Sequence, residues 1–183
     1  TKQTANPLSY LPPQAIKVEE AIIGALLIDK SSVDEVLMLI RSDEVFYAPA
    51  HKVIFKAIRD LNIANTGIDL LTVANKLRAN GDIDVAGTEI YLVELTQRVA
   101  STSHIEHHCR ILLQQWVKRE IIAFSNELIR NSYSETIDIF DLLADAEKGL
   151  DAVNEMLDTG SNQIDFVTAL QKPLRLCVYK RVC

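Results

Sequence analysis

Cysteine is scarce and unpatterned in this chain. Its three thiols, Cys109, Cys177 and Cys183, are odd in number and contain no Cys-x-x-Cys pair. Neither a disulfide framework nor a zinc ribbon is therefore encoded, and the reducing cytoplasm suits the chain. Aromatic residues make up only 6%, and positive charge is in the minority, with 19 Lys and Arg against 25 Asp and Glu for a formal net charge of -6. A surface that grips phosphates needs clustered cations, so single-stranded DNA is expected to bind at most weakly. The longest apolar run, AIIGALLI, falls far short of the roughly 20 residues that cross a bilayer. The opening TKQTANPLSYLPPQ lacks the basic flank and apolar core of a signal peptide, so no membrane partner is expected. GxxxxGK[ST] is missing, and no glycines fall in a GxGxxG pattern. No nucleotide cofactor is therefore expected on these residues.

Helix-forming sequence fills the chain instead, and 48% apolar content is enough for a core. Through residue 13 the prolines hold an extended tail. From 14 to 102 short helical patterns follow one another as a compact head. Val18, Ile22, Ala25 and Leu26 recur at helical spacing, and Ser32 with Glu35 has capping-box spacing ahead of Val33, Val36, Leu37 and Ile40. Pro49 suits the first turn of a helix bearing Ile54, Ile58 and Leu61. Asp69 can cap another, bearing Leu70, Val73, Ala74 and Leu77, that stops at Asn80-Gly81. A further short helix after Gly87 carries Tyr91, Leu92, Leu95 and Val99.

From Ser103 to about Asn131 there is neither Gly nor Pro, which predicts a helix roughly 43 Å long. After the polar NSYSET, a second helix runs to about Asp158, with Ile139, Leu143, Ala146, Leu150, Val153 and Leu157 in alternating steps of four and three. Residues 103–158 are thus expected to form a long antiparallel helical hairpin, and the fold class is all-α, a multi-helix globular head followed by that hairpin. The first hairpin helix bears two apolar stripes, Ile105–Cys109–Leu112–Trp116 and Leu113–Val117–Ile121–Phe124–Leu128. That surplus suggests self-association, a dimer or larger, although both stripes packing within one chain would read the same. Between Glu135 and Asp158 eight residues are acidic and only Lys148 is basic, which reads as a solvated face or as an acidic docking surface for a basic partner. Residues 159–183 turn basic and apolar and read as the beginning of a linker or a non-native tail.

SHIEHHCR, residues 103–110, is the one stretch whose composition suggests chemistry. His104, His107 and His108 are three and four residues apart and share a helix face, as a metal site on a helix would require. Cys109 lies about 140° around the helix from His104 and reads as a core residue, not a ligand. H-E-x-x-H is absent and no second cluster completes the site. The bland reading is that Ser103 and Glu106 cap the helix and the histidines are an exposed face, with no metal and no catalytic residue.

Residues 11–158 together resemble the N-terminal domain of the bacterial replicative DNA helicases, the DnaB family. The resemblance lies in LPPQAIKVEEAIIGALLID, in Phe46, Tyr47, His51, Ile54 and Phe55 of FYAPAHKVIFKAI, in DLLTVANKLRANG, and in Gly87, Tyr91 and Leu92 of GTEIYLVEL. It implies a non-catalytic module that forms the N-terminal collar of a hexamer through hairpin association and docks primase and the helicase loader during DNA replication. By position, Tyr91, Ile122 and Leu128 are expected at the primase contact. Ile121, Phe124, Ile139, Leu143, Leu150, Val153 and Leu157 are expected in hairpin packing and oligomerisation. The chain is not expected to be an enzyme, since ATP and Mg would belong to a motor domain whose Walker motifs it lacks. HIEHH departs from the Asn or aromatic residues that usually open the family's central helix. The rival readings are a generic helical-hairpin adaptor and a metal-dependent enzyme built on His104, His107 and His108.

Overall fold

The structure, a computed structural model, describes residues 11–98 and 104–158. Seven α-helices follow one another: α1 (Ile16–Ile28), α2 (Lys30–Leu39), α3 (Pro49–Ile63), α4 (Leu70–Asn80), α5 (Thr88–Gln97), α6 (Ile105–Ser132) and α7 (Ile139–Asp158). A 3-10 turn at Asp43–Val45 precedes α3, and no strand occurs among the described residues. The all-α class expected from the periodicities is what the chain adopts. It divides into two compact units, residues 1–126 and 127–183.

In the first unit α1 is the hub, packing on α2, α3, α4 and α5. Its sequence explains this. Ile22 to Leu27 are all buried, and so are Glu19 and Glu20, so the helix has almost no solvent face and must be covered all round. Phe46 and Phe55 pack tilted at 4.9 Å against one another within the same core.

Local signals set most helix ends. Pro49 occupies the first turn of α3. Asp69 accepts from the Thr72 N–H at 2.8 Å while the Thr72 hydroxyl accepts from the Asp69 N–H at 3.0 Å, a reciprocal cap. Gly81 closes α4 at φ +79, where a Cβ would be strained. The expected cap at Ser32 and Glu35 is displaced. Asp29 starts α2, accepting from the Ser31 N–H at 2.9 Å and the Ser32 hydroxyl at 2.8 Å. Its own N–H meanwhile closes α1 on the Ala25 carbonyl. An ionised carboxylate accepts several bonds at once, so Asp29 outcompetes the serine, and Ser32 ends buried inside α2. The expected cap at Ser103, and Val99, lie outside the described residues.

α6 was expected to leave the head at once, but its first half is a head helix. Ile105, Cys109 and Leu112, at steps of four and three, belong to the core cluster, and Leu113 and Trp116 pack against it. Burial pushes the Cys109 thiol up to about 12, as suits a packing residue. In the second unit the end of α6 leads through residues 133–138 into α7. Along α7 the covered line is Leu142, Ala146, Gly149 and Val153, while Ile139, Leu143 and Leu150 are exposed. The apolar repeat is where it was read, but Leu142 beside Leu143 makes two overlapping stripes, and only one is covered.

Leu112→Ala should therefore destabilise the chain by about 2–5 kcal/mol, as a buried leucine truncation does. Leu150→Ala should stay within about 0.5 kcal/mol, as exposed positions do. Urea melts of both variants, followed by circular dichroism, compare them; equal effects would remove α6 from the core.

Candidate docking and assembly site

Tyr91 is the sequence-predicted docking residue with the most defined surroundings. On α5 its ring lies parallel to the His51 imidazole of α3, with centroids 6.0 Å apart and an interplanar angle of 8°. Its hydroxyl is 2.8 Å from His51 Nε2. Gly87 makes room beneath it, because a Cβ there would sit 3.1 Å from the Tyr91 side chain. The turn that delivers it is strained: Gly87 has φ +87, and Thr88, a β-branched residue, has φ +68.

The chain of contacts continues inward. His51 Nδ1 lies 2.7 Å from Glu19 Oε2 of α1, and the Glu19 carboxylate also accepts from the Tyr47 N–H at 2.7 Å and the Ala48 N–H at 3.2 Å. Glu19 and His51 are 0% and 1% exposed. The partners assign the ring's roles: Nδ1 lies against the carboxylate and donates to it, which leaves Nε2 to accept the phenol proton. Ala48 begins α3 with no side-chain cap of its own, and Glu19 supplies that function from another helix.

A carboxylate, an imidazole and a hydroxyl in sequence have the order of a nucleophilic triad. The last group here is a phenol whose pKa is raised, first by burial and then by the nearby Glu20 charge. It holds its proton and is no activated nucleophile. The arrangement clamps α1, α3 and α5 together, with Tyr91 as its outermost member.

A second tie fixes α6. Arg119 donates to the carbonyls of Pro13 at 3.0 Å, Val45 at 2.7 Å and Glu44 at 3.3 Å, and its guanidinium stands 5.6 Å from the Tyr47 ring centre. Burial lowers its pKa, and the carbonyl oxygens and the aromatic face stand in for lost water. Neither Glu19 nor Arg119 was singled out from the sequence. The adjacent glutamates in the otherwise apolar KVEEAIIGALLI were the available signal for Glu19, since a carboxylate on an all-buried helix requires donors. Arg119, among several charged residues on α6, offered none.

The remaining candidates scatter outward. Ile122 is exposed and falls in the first unit, while Leu128 is half-buried and falls in the second. The hydrogen bond and ring contact of Tyr91 go to His51, so no polar contact joins the three primase-contact candidates among the described residues. In the assembly set, Ile121, Ile139, Leu143 and Leu150 are exposed, Phe124 is half-buried and Val153 is buried. The Leu157 side chain lies outside the described residues.

His104 and His107 are exposed and His108 is half-buried at the start of α6. Burial lowers the His108 pKa, and the neighbouring His107 and His104 add to the effect. Among the described residues no group of three or more His, Cys, Asp or Glu is arranged to hold a metal ion, and no helix is long and apolar enough to cross a membrane.

The family model of the DnaB-like helicase N terminal domain matches residues 11–114. The chain belongs to that family. The match runs from the proline segment through the Glu19, His51 and Tyr91 clamp into the head half of α6. Among curated DnaB relatives, the replicative DNA helicase DnaB of Rhodothermus marinus is 40% identical over 137 residues, 75% of this chain and 14% of that protein. The Geobacillus stearothermophilus replicative DNA helicase DnaB is 30% identical over 156 residues, 82% of this chain and 33% of that protein. The chain thus spans a third or less of the length of these relatives. The crystal structure of the N-terminal domain of DnaB helicase from Mycobacterium tuberculosis superposes with a TM-score of 0.73 at 25% identity, covering 78% of this chain and 99% of that domain. A DnaB-like replicative helicase, described together with its interactions with primase, shares the fold at a TM-score of 0.63 and 20% identity, covering 88% of this chain and 35% of that one.

Two outcomes follow for this DnaB-type domain. Glu19→Ala leaves two backbone N–H groups and the His51 Nδ1–H without an acceptor and should cost more than about 3 kcal/mol, whereas Tyr91→Phe, which loses one bond, should cost about 1 kcal/mol. Urea denaturation of the two variants measures both. For His108, an unfolded chain near pKa 6.5 binds a proton more readily than the folded one, so its contribution weakens stability as pH falls through 6.5 toward the folded value and is absent above it. The stability difference between the wild type and His108→Gln, measured from pH 8 to 5, should widen only on the acid side; a difference independent of pH would contradict this.

Proposed function

We propose that this chain serves as the non-catalytic N-terminal module of a replicative DNA helicase. It assembles with copies of itself through α6 and α7 and docks primase, and a helicase loader, on the assembled surface. The family match over residues 11–114 carries this reading. It is supported by a DnaB-like relative of the same fold that is described with its primase interactions. Hydrolysis of ATP and unwinding belong, on this reading, to a motor domain with its own phosphate loop and Mg. The assembled module works in the cytoplasm, in the primosome.

The division of surfaces follows from exposure. On this reading the exposed Ile121 on α6 and Ile139, Leu143 and Leu150 on α7 supply the apolar area for contact between copies, with the half-buried Phe124 at its edge, while Val153 is buried within the chain. Exposed side chains such as Ile121 and Ile139 have a use in an assembly that they lack in a lone chain. Tyr91, Ile122 and Leu128 face primase on this reading. Tyr91 contributes through its position in the clamp, which presents α5 with Ile90 and Val93 exposed beside it. A generic helical-hairpin adaptor would self-associate in the same way without selecting primase.

Binding to the C-terminal region of the matching primase, measured by calorimetry, tests this reading. Ile122→Ala and Leu128→Ala should each weaken it by about tenfold, equivalent to about 1.4 kcal/mol, with helical content unchanged. A chain that sediments as a strict monomer and binds no primase would sink both halves of the reading.

A further inference from the structure

The copy-contact residues of α7 share their face with carboxylates. Ile139, Leu143 and Leu150 are 58%, 55% and 59% exposed, Phe140 is 77% exposed, and Glu147 and Asp151 are exposed beside them. At 3.6 residues per turn, Ile139, Leu143 and Leu150 fall within about 40° of the helix surface, and Glu147, Phe140 and Asp151 occupy about the next 80° on one side. The covered line through Leu142 and Val153 borders the other side. Lys148, the only basic residue of α7, lies about 60° beyond Asp151 and off this face.

Contact between two copies is isologous when a two-fold axis relates them. An axis that sets Leu143 of one copy against Leu150 of the other crosses α7 midway between these residues. Glu147 stands about half a residue from that midpoint, about 0.8 Å along the helix at 1.5 Å per residue, and the axis keeps both acidic borders on the same side. Each Glu147 then meets its own counterpart. Parallel copies would instead lay each acidic border along the other's apolar and covered positions. Neither orientation of α7 on α7 brings a cation to Glu147 or Asp151, and like charges brought together across a contact oppose it.

We propose that Glu147 and Asp151 act as an electrostatic brake on self-association, so that contact between copies through α7 tightens as ionic strength rises. The inference rests on the assembly reading above and adds its regulation. An interface held by ion pairs across it weakens in salt. This one responds in the opposite sense, because the apolar stripe supplies attraction that salt does not screen and the carboxylates supply repulsion that it does.

Sedimentation equilibrium of the whole 183-residue chain between about 0.1 and about 1 M NaCl tests this, since the Debye length falls from about 10 Å to about 3 Å over that range. The wild-type dissociation constant should fall at least about fivefold, the scale of two like-charge pairs in water-like surroundings. Glu147→Gln with Asp151→Asn should associate about fivefold tighter than wild type at about 0.1 M and lose most of the salt response. Asp141→Asn with Asp145→Asn removes the same charge from the opposite side of α7 and should leave the wild-type salt response in place. Leu150→Ser should weaken association at every salt concentration. Circular dichroism checks that helical content is unchanged in each variant.

Association that weakens as salt rises would overturn the proposal by showing cations opposite the carboxylates. Unchanged affinity and salt response in the variant neutralised at 147 and 151 would place both groups outside the contact, and wild-type association in Leu150→Ser would place the contact on another surface; either result defeats the brake. Loss of the salt response in the variant neutralised at 141 and 145 would defeat it as well, by assigning the effect to net charge alone. The two readings fail separately. Salt-independent association removes only the brake, whereas a strict monomer at every salt concentration, in wild type and in both neutralised variants, removes the assembly reading with it.

Discussion

One buried carboxylate governs the geometry of the head. Glu19 sits at 0% exposure on the central helix, and an ionised group there is costly unless it is fully bonded. Its three donors come from the Tyr47 and Ala48 backbone and from His51. The requirement fixes several things together. It sets the path by which the chain enters α3, where Pro49 has no N–H to offer and Ala48 has no capping side chain. It sets the His51 tautomer, and through Nε2 it sets where the Tyr91 hydroxyl must lie. α5 is therefore positioned by a charge on α1 that it never touches directly.

Arg119 does for α6 what Glu19 does for α3. Its three carbonyl partners belong to the segment before α1 and to the turn before α3, and Tyr47, whose N–H binds Glu19, lies under its guanidinium. The two ties thus meet at Tyr47. This explains why a helix of 28 residues is anchored to the head over its first half: Ile105, Cys109 and Leu112 hold it by packing, and Arg119 holds the next turn by polar bonds.

What was legible in the sequence was local. Asp69 with Thr72, Pro49, Gly81 and the apolar repeats each act within one or two turns, and the helices they mark form. The cap of α2 departs from the Ser32–Glu35 spacing for a local reason as well, since Asp29 serves two helices at once and no spacing rule anticipates that. The Glu19–His51–Tyr91 clamp was not legible, because its members are 32 and 40 residues apart and nothing in a single sequence brings them together. The resemblance did single out His51 and Tyr91 by position, but it supplied no reason for them; the reason is the carboxylate between α1 and α3. On α7 the periodicity was visible, yet Leu142 and Leu143 are equally apolar neighbours. Which of the two stripes is covered depends on packing, and periodicity carries no information about that.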